Sequence, residues 1–201
     1  NYNGKECNGF KKTGTVTITF TDYPTHKWKH QGTVVKVDFL AYTVFQVSSL
    51  KSVRLDGTEY LTNVSGKTWY DLYYSFESSV VQTLTGNNIK VTFNGSKVAV
   101  YNLNRQMTFT YHNSVMTCKV EGLETQNGES SVENWGQTRD GDFFTSQVST
   151  PVIWNSTCGS NAPTEGEVII KVDNKDFKLN CRFGVDEEGN DLAGSGNCPF
   201  G

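Results

Sequence analysis

Charged side chains are scarce in this sequence: Asp, Glu, Lys and Arg make up 19% of 201 residues, and the formal net charge is −3. Without clustered Lys and Arg there is no field to hold a phosphate backbone, which argues against a nucleic-acid partner. Histidine is scarcer still. Only His26, His30 and His112 could act as an imidazole base, and no Ser lies in a G-x-S-x-G turn, so a nucleophilic hydrolase lacks its usual parts. The five cysteines, Cys7, Cys118, Cys158, Cys181 and Cys198, include no C-x-x-C and no zinc-ligand spacing, and no cofactor motif occurs. No run approaches the ~18 to 20 apolar residues of a membrane helix. A basic and then apolar leader is missing at Asn1, and Glu6 before Cys7 is not the small residue that lipid attachment needs. Finally, no apolar pattern at i, i+3, i+4, i+7 persists over three turns, so helices should be nearly absent.

Alternation with a period of two takes their place. Val16, Ile18 and Phe20 alternate with Thr15, Thr17 and Thr19, which predicts a half-buried strand. Residues 32–47 predict a long strand covered on both faces near its middle, where Leu40, Tyr42 and Val44 back onto Phe39, Ala41 and Phe45. Further strands are expected at 53–61, 70–76, 89–93, 97–101, 107–111, 115–120, 144–148, 166–172 and 177–183. Asn94-Gly95, His112-Asn113-Ser114, Asp140-Gly141 and residues 173–176 read as hairpin tips. Pro151 suits an edge or bulge, and residues 126–133 read as a polar, mobile loop. With no linker visible, residues 1–201 form a single all-β domain: an antiparallel meander of about ten strands, packed as a β-sandwich or a partly closed barrel. Twelve Phe, nine Tyr and four Trp predict an aromatic core.

An odd cysteine count leaves at least one thiol unpaired within the chain. Cys158 and Cys198, both in Gly- and Asn-rich loops, are the expected disulfide, while Cys181 alternates with Phe177, Leu179 and Phe183 as a buried thiol would. Charge is uneven along the chain. Residues 1–36 carry six Lys against Glu6 and Asp22, and residues 121–142 carry six acids against Arg139, an arrangement open to head-to-tail self-association or to neutralisation by folding.

Several of these residues resemble a family of uncharacterised secreted proteins and lipoproteins of Bacteroidota. The shared features are Cys7, Lys11-Lys12, the run Gly14-Thr15-Val16-Thr17-Ile18-Thr19-Phe20-Thr21-Asp22, Gly32-Thr33-Val34, and Gly57-Thr58 with Thr62-Asn63-Val64-Ser65. Toward the C-terminus they are Trp135-Gly136, Arg139, Gly141, Phe144-Thr145, Pro151-Val152, Cys158, Gly166, Phe183-Gly184 and Cys198. Cys118, Cys181 and Asp22 depart from the pattern. The resemblance implies a β fold and an extracytoplasmic location, secreted or associated with the outer membrane, and lends no reaction.

Exposed rings flanked by amides and carboxylates are the chemistry with which β modules hold sugars, because apolar C–H faces suit π surfaces. Trp69, Tyr73, Trp28 and Trp135 are the candidate ligand-binding residues. Alternation through residues 69–76 places Tyr70, Leu72, Tyr74 and Phe76 inside, with Trp69 and Tyr73 outside. His26, Trp28 and His30 share one face of an extended segment, with the imidazoles too far apart to chelate one ion. Asp186, Glu188 and Asp191, with Glu187 between them, form a Gly-containing acidic loop that offers oxygen ligands for Ca²⁺ without EF-hand spacing. The expected function is a non-catalytic surface module that binds a glycan or another extracellular polymer. The alternatives are an accessory subunit of an outer-membrane, secretion or filament assembly, and a hydrolase built on two carboxylates.

Overall fold

The computed structural model describes residues 2–159, 162–173, 175–186, 188–190, 192 and 198. Its strands are β1 (Tyr2–Cys7), β2 (Phe10–Phe20), β3 (Val34–Gln46), β4 (Lys51–Asn63), β5 (Val80–Phe93), β6 (Lys97–His112), β7 (Val115–Gly122), β8 (Glu124–Gln126), β9 (Glu129–Gln137), β10 (Phe143–Asn155), β11 (Glu165–Val172) and β12 (Phe177–Phe183). One short helix, α1 (Trp69–Tyr74), interrupts them. The chain is therefore all-β and antiparallel, as its alternation predicts, with twelve strands joined in one sheet.

Strands β1 to β7 pair in chain order, and β10, β11 and β12 extend the path beyond β7. The departure from a simple meander is β9. On β6, residues 100–103 pair with β9 and residues 105–112 pair with β7; on β10, residues 143–147 pair with β9 and 152–155 with β7. Thus β7 and β9 lie end to end between β6 and β10, and the four strands close a circuit of pairing. Turn chemistry explains the connections. Asn94-Gly95 and Asn113-Ser114 all have positive φ, the left-handed geometry that matches strand twist across a two-residue hairpin. Asp140-Gly141 tips the β9–β10 hairpin, where Gly141 N–H donates to Thr138 O at 3.0 Å. Residues 126–133 are not the loop expected from their polarity. Asn127-Gly128 makes another positive-φ turn between β8 and β9, and Val132 is fully buried.

A crease of bulges crosses the sheet at one level. Register shifts fall at Gly14 between β2 and β3, at Ala41 between β3 and β4, at Gly57 between β4 and β5, and at Asn88 between β5 and β6. A bulge frees an N–H from the ladder, and neighbouring strands supply acceptors. Ala41 N–H donates to Asp56 Oδ1 at 2.8 Å and Asn88 N–H to Asn102 Oδ1 at 2.9 Å. Gly14 is required here, since a Cβ would lie 2.2 Å from Ala41 O. Pro151 sits in a comparable irregularity, where the β10–β11 register shifts between Thr150 and Ile153.

The core is aliphatic rather than aromatic. Val35, Leu72, Val80, Ile89, Leu103, Val120, Val132, Val148 and Val152 are buried, whereas the described rings are half-buried or exposed. One cluster, Val120, Val148 and Val152, is flanked by Met107, Cys118, Trp154, Val168 and Phe183. The N-terminal strands lack such cover. Ile18 is 64% exposed and Leu40 67% exposed, and because Leu40 opposes Thr15 while Ile18 alternates with it, the two project from opposite faces. The half-buried β2 expected from alternation is therefore not observed, and β3 is partly covered on both faces near its middle except at Leu40. Consistently, the accessible surface of 12,172 Å² exceeds the about 9,400 Å² that a compact chain of 22.4 kDa exposes.

Candidate functional site

The corner where the start of β3, the end of β4 and the start of β5 adjoin the approach to α1 is built around Asn63. This side chain is fully buried at the end of β4; its Nδ2 donates to Trp28 O at 2.6 Å and Lys67 O at 2.8 Å, and its Oδ1 accepts from Gly66 N–H at 3.1 Å. One amide thus ties the loop bearing Trp28 to the approach to the helix. Thr33, also buried, donates its hydroxyl to Lys27 O at 3.0 Å. Gly66 has φ +70°, and a Cβ there would meet Gln31 N at 2.5 Å. At the helix start the Asp71 carboxylate accepts from both the Thr68 N–H and the Thr68 hydroxyl at 2.7 Å, which holds its pKa below the usual carboxylate value. A Lys67–Glu77 ion pair of 2.7 Å spans the helix ends.

The strand expected over residues 70–76 is instead this helix. The five aromatic residues within 69–76 alternate only by accident, and the Thr68-x-x-Asp71 cap starts a turn that buries Leu72 against the sheet. Tyr70, Tyr74 and Phe76, expected inside, are 65%, 60% and 92% exposed, beside Trp69 at 57% and Tyr73 at 51%. Helical spacing groups Trp69 with Tyr73 and Tyr70 with Tyr74, each pair four residues apart. The rings form an exposed ridge. Tyr70 meets Tyr74 at 4.4 Å between centroids, Tyr74 meets Tyr73 at 4.7 Å, Tyr73 meets Tyr111 of β6 at 4.9 Å, and Trp69 meets Phe109 of β6 at 5.1 Å. Hydrogen bonding to Tyr111 raises the Tyr73 phenol pKa.

Trp28, half-buried, reaches this corner through its backbone, whereas Trp135 does not. Trp135 lies on β9 opposite Asn102, whose Nδ2 donates to Trp135 O at 3.3 Å. Asn102 is seven residues along β6 from Phe109, roughly 23 Å at ~3.3 Å per residue. The segment around Trp28 is also not extended: turns at 26–30 bring the His26 and His30 rings to 5.6 Å, edge to face, and His30 Nδ1 accepts from Lys27 N–H.

Beneath Trp69 a cleft of about 420 Å³ opens between α1 and the sheet. Phe109, Cys118 and Trp154 are direct cross-strand neighbours on β6, β7 and β10, so they line it as a row on one face, with Met116 adjacent. Burial pushes the Cys118 thiol up to about 11, which leaves it protonated and unreactive at neutral pH. Sequence reading missed Trp154 because the row depends on the β7–β10 pairing.

The remaining candidates are elsewhere. Asp186 accepts from the backbone N–H groups of Glu188 and Asn190 and from Asn190 Nδ2, so its oxygens close their own turn; Asp191 lies outside the described residues, and no metal-binding cluster of three or more His, Cys, Asp or Glu occurs among those described. Of the carboxylates available to a hydrolase, Glu59 is raised by burial and Glu133 pairs with Arg105 at 3.5 Å. Cys158 is bonded to Cys198, while Cys7 is exposed and Cys118 and Cys181 are half-buried thiols. The acid-rich stretch is not a free face, since Glu121, Glu129, Glu133, Asp140 and Asp142 pair with Lys119, Lys171, Arg105, Lys97 and Lys175. No helix among the described residues is long and apolar enough to cross a membrane. No protein-family model matches the chain, and neither a curated protein nor a solved structure matches it.

Proposed function

We propose that this protein is a non-catalytic extracytoplasmic surface module that binds a glycan through the ridge on α1. The observation that carries the reading is the continuous set of rings from the exposed Tyr70, Tyr74 and Tyr73 to the half-buried Tyr111, with the exposed Trp69 beside it. Exposing these rings to water has a large apolar cost, at ~25 cal/mol per Å², and sugar C–H faces relieve it while Asp, Ser and Tyr hydroxyl groups at the margins take up hydrogen bonds. Rigidity supports the reading. Asn63, Thr68 and Asp71 fix the ridge before any ligand arrives, which lowers the entropic cost of binding.

A glycan array and pull-down on insoluble polysaccharides test it. Retention of at least one neutral glycan is expected, with loss of at least about fivefold in affinity for Trp69→Ala and Tyr73→Ala, one ring contact being worth ~1 kcal/mol or more. No retained glycan, or unchanged retention by both variants, defeats the proposal. The accessory-subunit reading rests on a different observation: among the described residues, β1 and β12 end the path of paired strands, each with an edge that no other described strand takes up. It predicts fixed co-purifying partners.

A further inference from the structure

The geometry points to the cleft beneath Trp69 as a subsite for the acetamido group of an N-acetylated, uncharged sugar unit, a specificity that rests on the glycan reading of the ridge. The cleft is continuous with the ridge because Trp69 belongs to both. Its other wall is Trp154, so two indoles from separate elements line one opening, with Phe109 and Met116 between them. About 420 Å³ lies within the ~300 to 1,000 Å³ of small-molecule sites.

The polar atoms of the rim select the ligand's chemistry. Asn155 Oδ1 accepts from the backbone N–H groups of Thr157 at 3.0 Å and Cys158 at 3.2 Å, which fixes the amide so that Nδ2 is the group left out of that turn. Ser156 Oγ accepts from Met116 N–H at 3.0 Å, and the hydroxyl proton remains for an outside acceptor. Both groups are therefore donors. Among the described residues the lining includes no Lys, Arg, Asp or Glu, so a carboxylate or ammonium would be desolvated without a counter-ion from them. A neutral carbonyl next to a small apolar group meets every condition: oxygen on Asn155 Nδ2 and the Ser156 hydroxyl, methyl against Trp154 and Phe109. The rim is also prepared for it. Ser156 N–H donates to Met116 O at 2.8 Å, and the Cys158–Cys198 disulfide anchors the end of the turn.

Titration calorimetry with β-1,4-linked oligomers of N-acetylglucosamine, of glucose and of glucosamine, at equal length, isolates the acetamide. The acetylated series is expected to bind at least about tenfold more tightly than the glucose series, as a site built to donate to a ligand oxygen discriminates against its absence, and the cationic series weakest. Asn155→Asp keeps the acceptor of the turn and removes the donor; it should bring the acetylated and glucose series to within about twofold. Trp154→Phe, which preserves the packing against Val152, should lower acetylated affinity with little change for glucose. Equal wild-type affinity for the acetylated and glucose series overturns the subsite while leaving the ridge as a glycan binder. So does an acetyl preference that survives both variants with their melting temperatures unchanged. Binding to none of the three series, with retention of other glycans on the array, also overturns the subsite alone; loss of all glycan binding defeats the ridge with it.

Discussion

The α1 corner and the N-terminal strands obtain their order in different ways. At the corner, a few buried polar atoms and Leu72 hold irregular backbone: Asn63 alone satisfies three backbone groups across two loops. In β1–β3, the ladders do the holding, and side chains such as Ile18 and Leu40 stand in water on opposite faces. The comparison teaches that a sheet can remain regular with little burial because each residue repeats the same bonds, whereas a loop that presents rings in a set geometry needs its own buried anchors. Fixed presentation is found where the candidate site is.

The sharpest way to break this contrast is Asn63→Ala. It leaves the Trp28 and Lys67 carbonyls and the Gly66 amide without their buried partner, and should cost on the order of 4 kcal/mol in urea unfolding, with faster amide exchange across residues 27–33 and 64–75. A loss below about 1 kcal/mol would remove Asn63 as the anchor of the corner. A smaller effect is expected for Thr68→Ala, about 1 kcal/mol, the usual worth of a helix start. The same site predicts a pH signature. Because Asp71 is held below its unfolded pKa of about 3.9 by the Thr68 hydroxyl and then by the Thr68 amide, its contribution is complete above that value and is lost as pH falls through the lower folded pKa. Order at the corner, followed by tyrosine near-ultraviolet dichroism, should decline on acidification and do so less in Asp71→Asn. Smallest of all is Leu40→Thr, expected within about 0.5 kcal/mol of wild type because the side chain is already in water. A large destabilisation would show that something covers β3 in solution.

Sequence made the strands legible because period-two alternation and turn chemistry are local. Asn94-Gly95 and Asn113-Ser114 turn at positive φ, a geometry that Asn and Gly adopt at little cost. Asn127-Gly128 carried the same signal and was outweighed by the polarity around it. The helix shows the opposite failure: Tyr70, Leu72, Tyr74 and Phe76 alternate like a strand, yet Thr68 and Asp71 spell a capping pair that identifies a helix start. Trp69 and Tyr73 were legible as exposed rings, though for helical rather than strand reasons. Trp135 was not separable from them by residue type, since only the register places it beside Asn102. Trp154 required knowing that β10 pairs with β7, a contact 36 residues apart from Cys118 to Trp154. An aromatic core was the natural inference from ring content, and it failed because rings in a sheet with uncovered faces have no interior to enter.

The crease of bulges has one more implication. In an ordinary ladder, a strand that slips by two residues restores most of its bonds and keeps its faces. Here each displaced strand would carry its extra residue away from the level shared by its neighbours, and Asp56 and Asn102 would face ladder positions that have no spare N–H to give. The bulges therefore serve as registration marks. They make neighbouring strands commit to one alignment, in a sheet whose side chains bury too little to impose it.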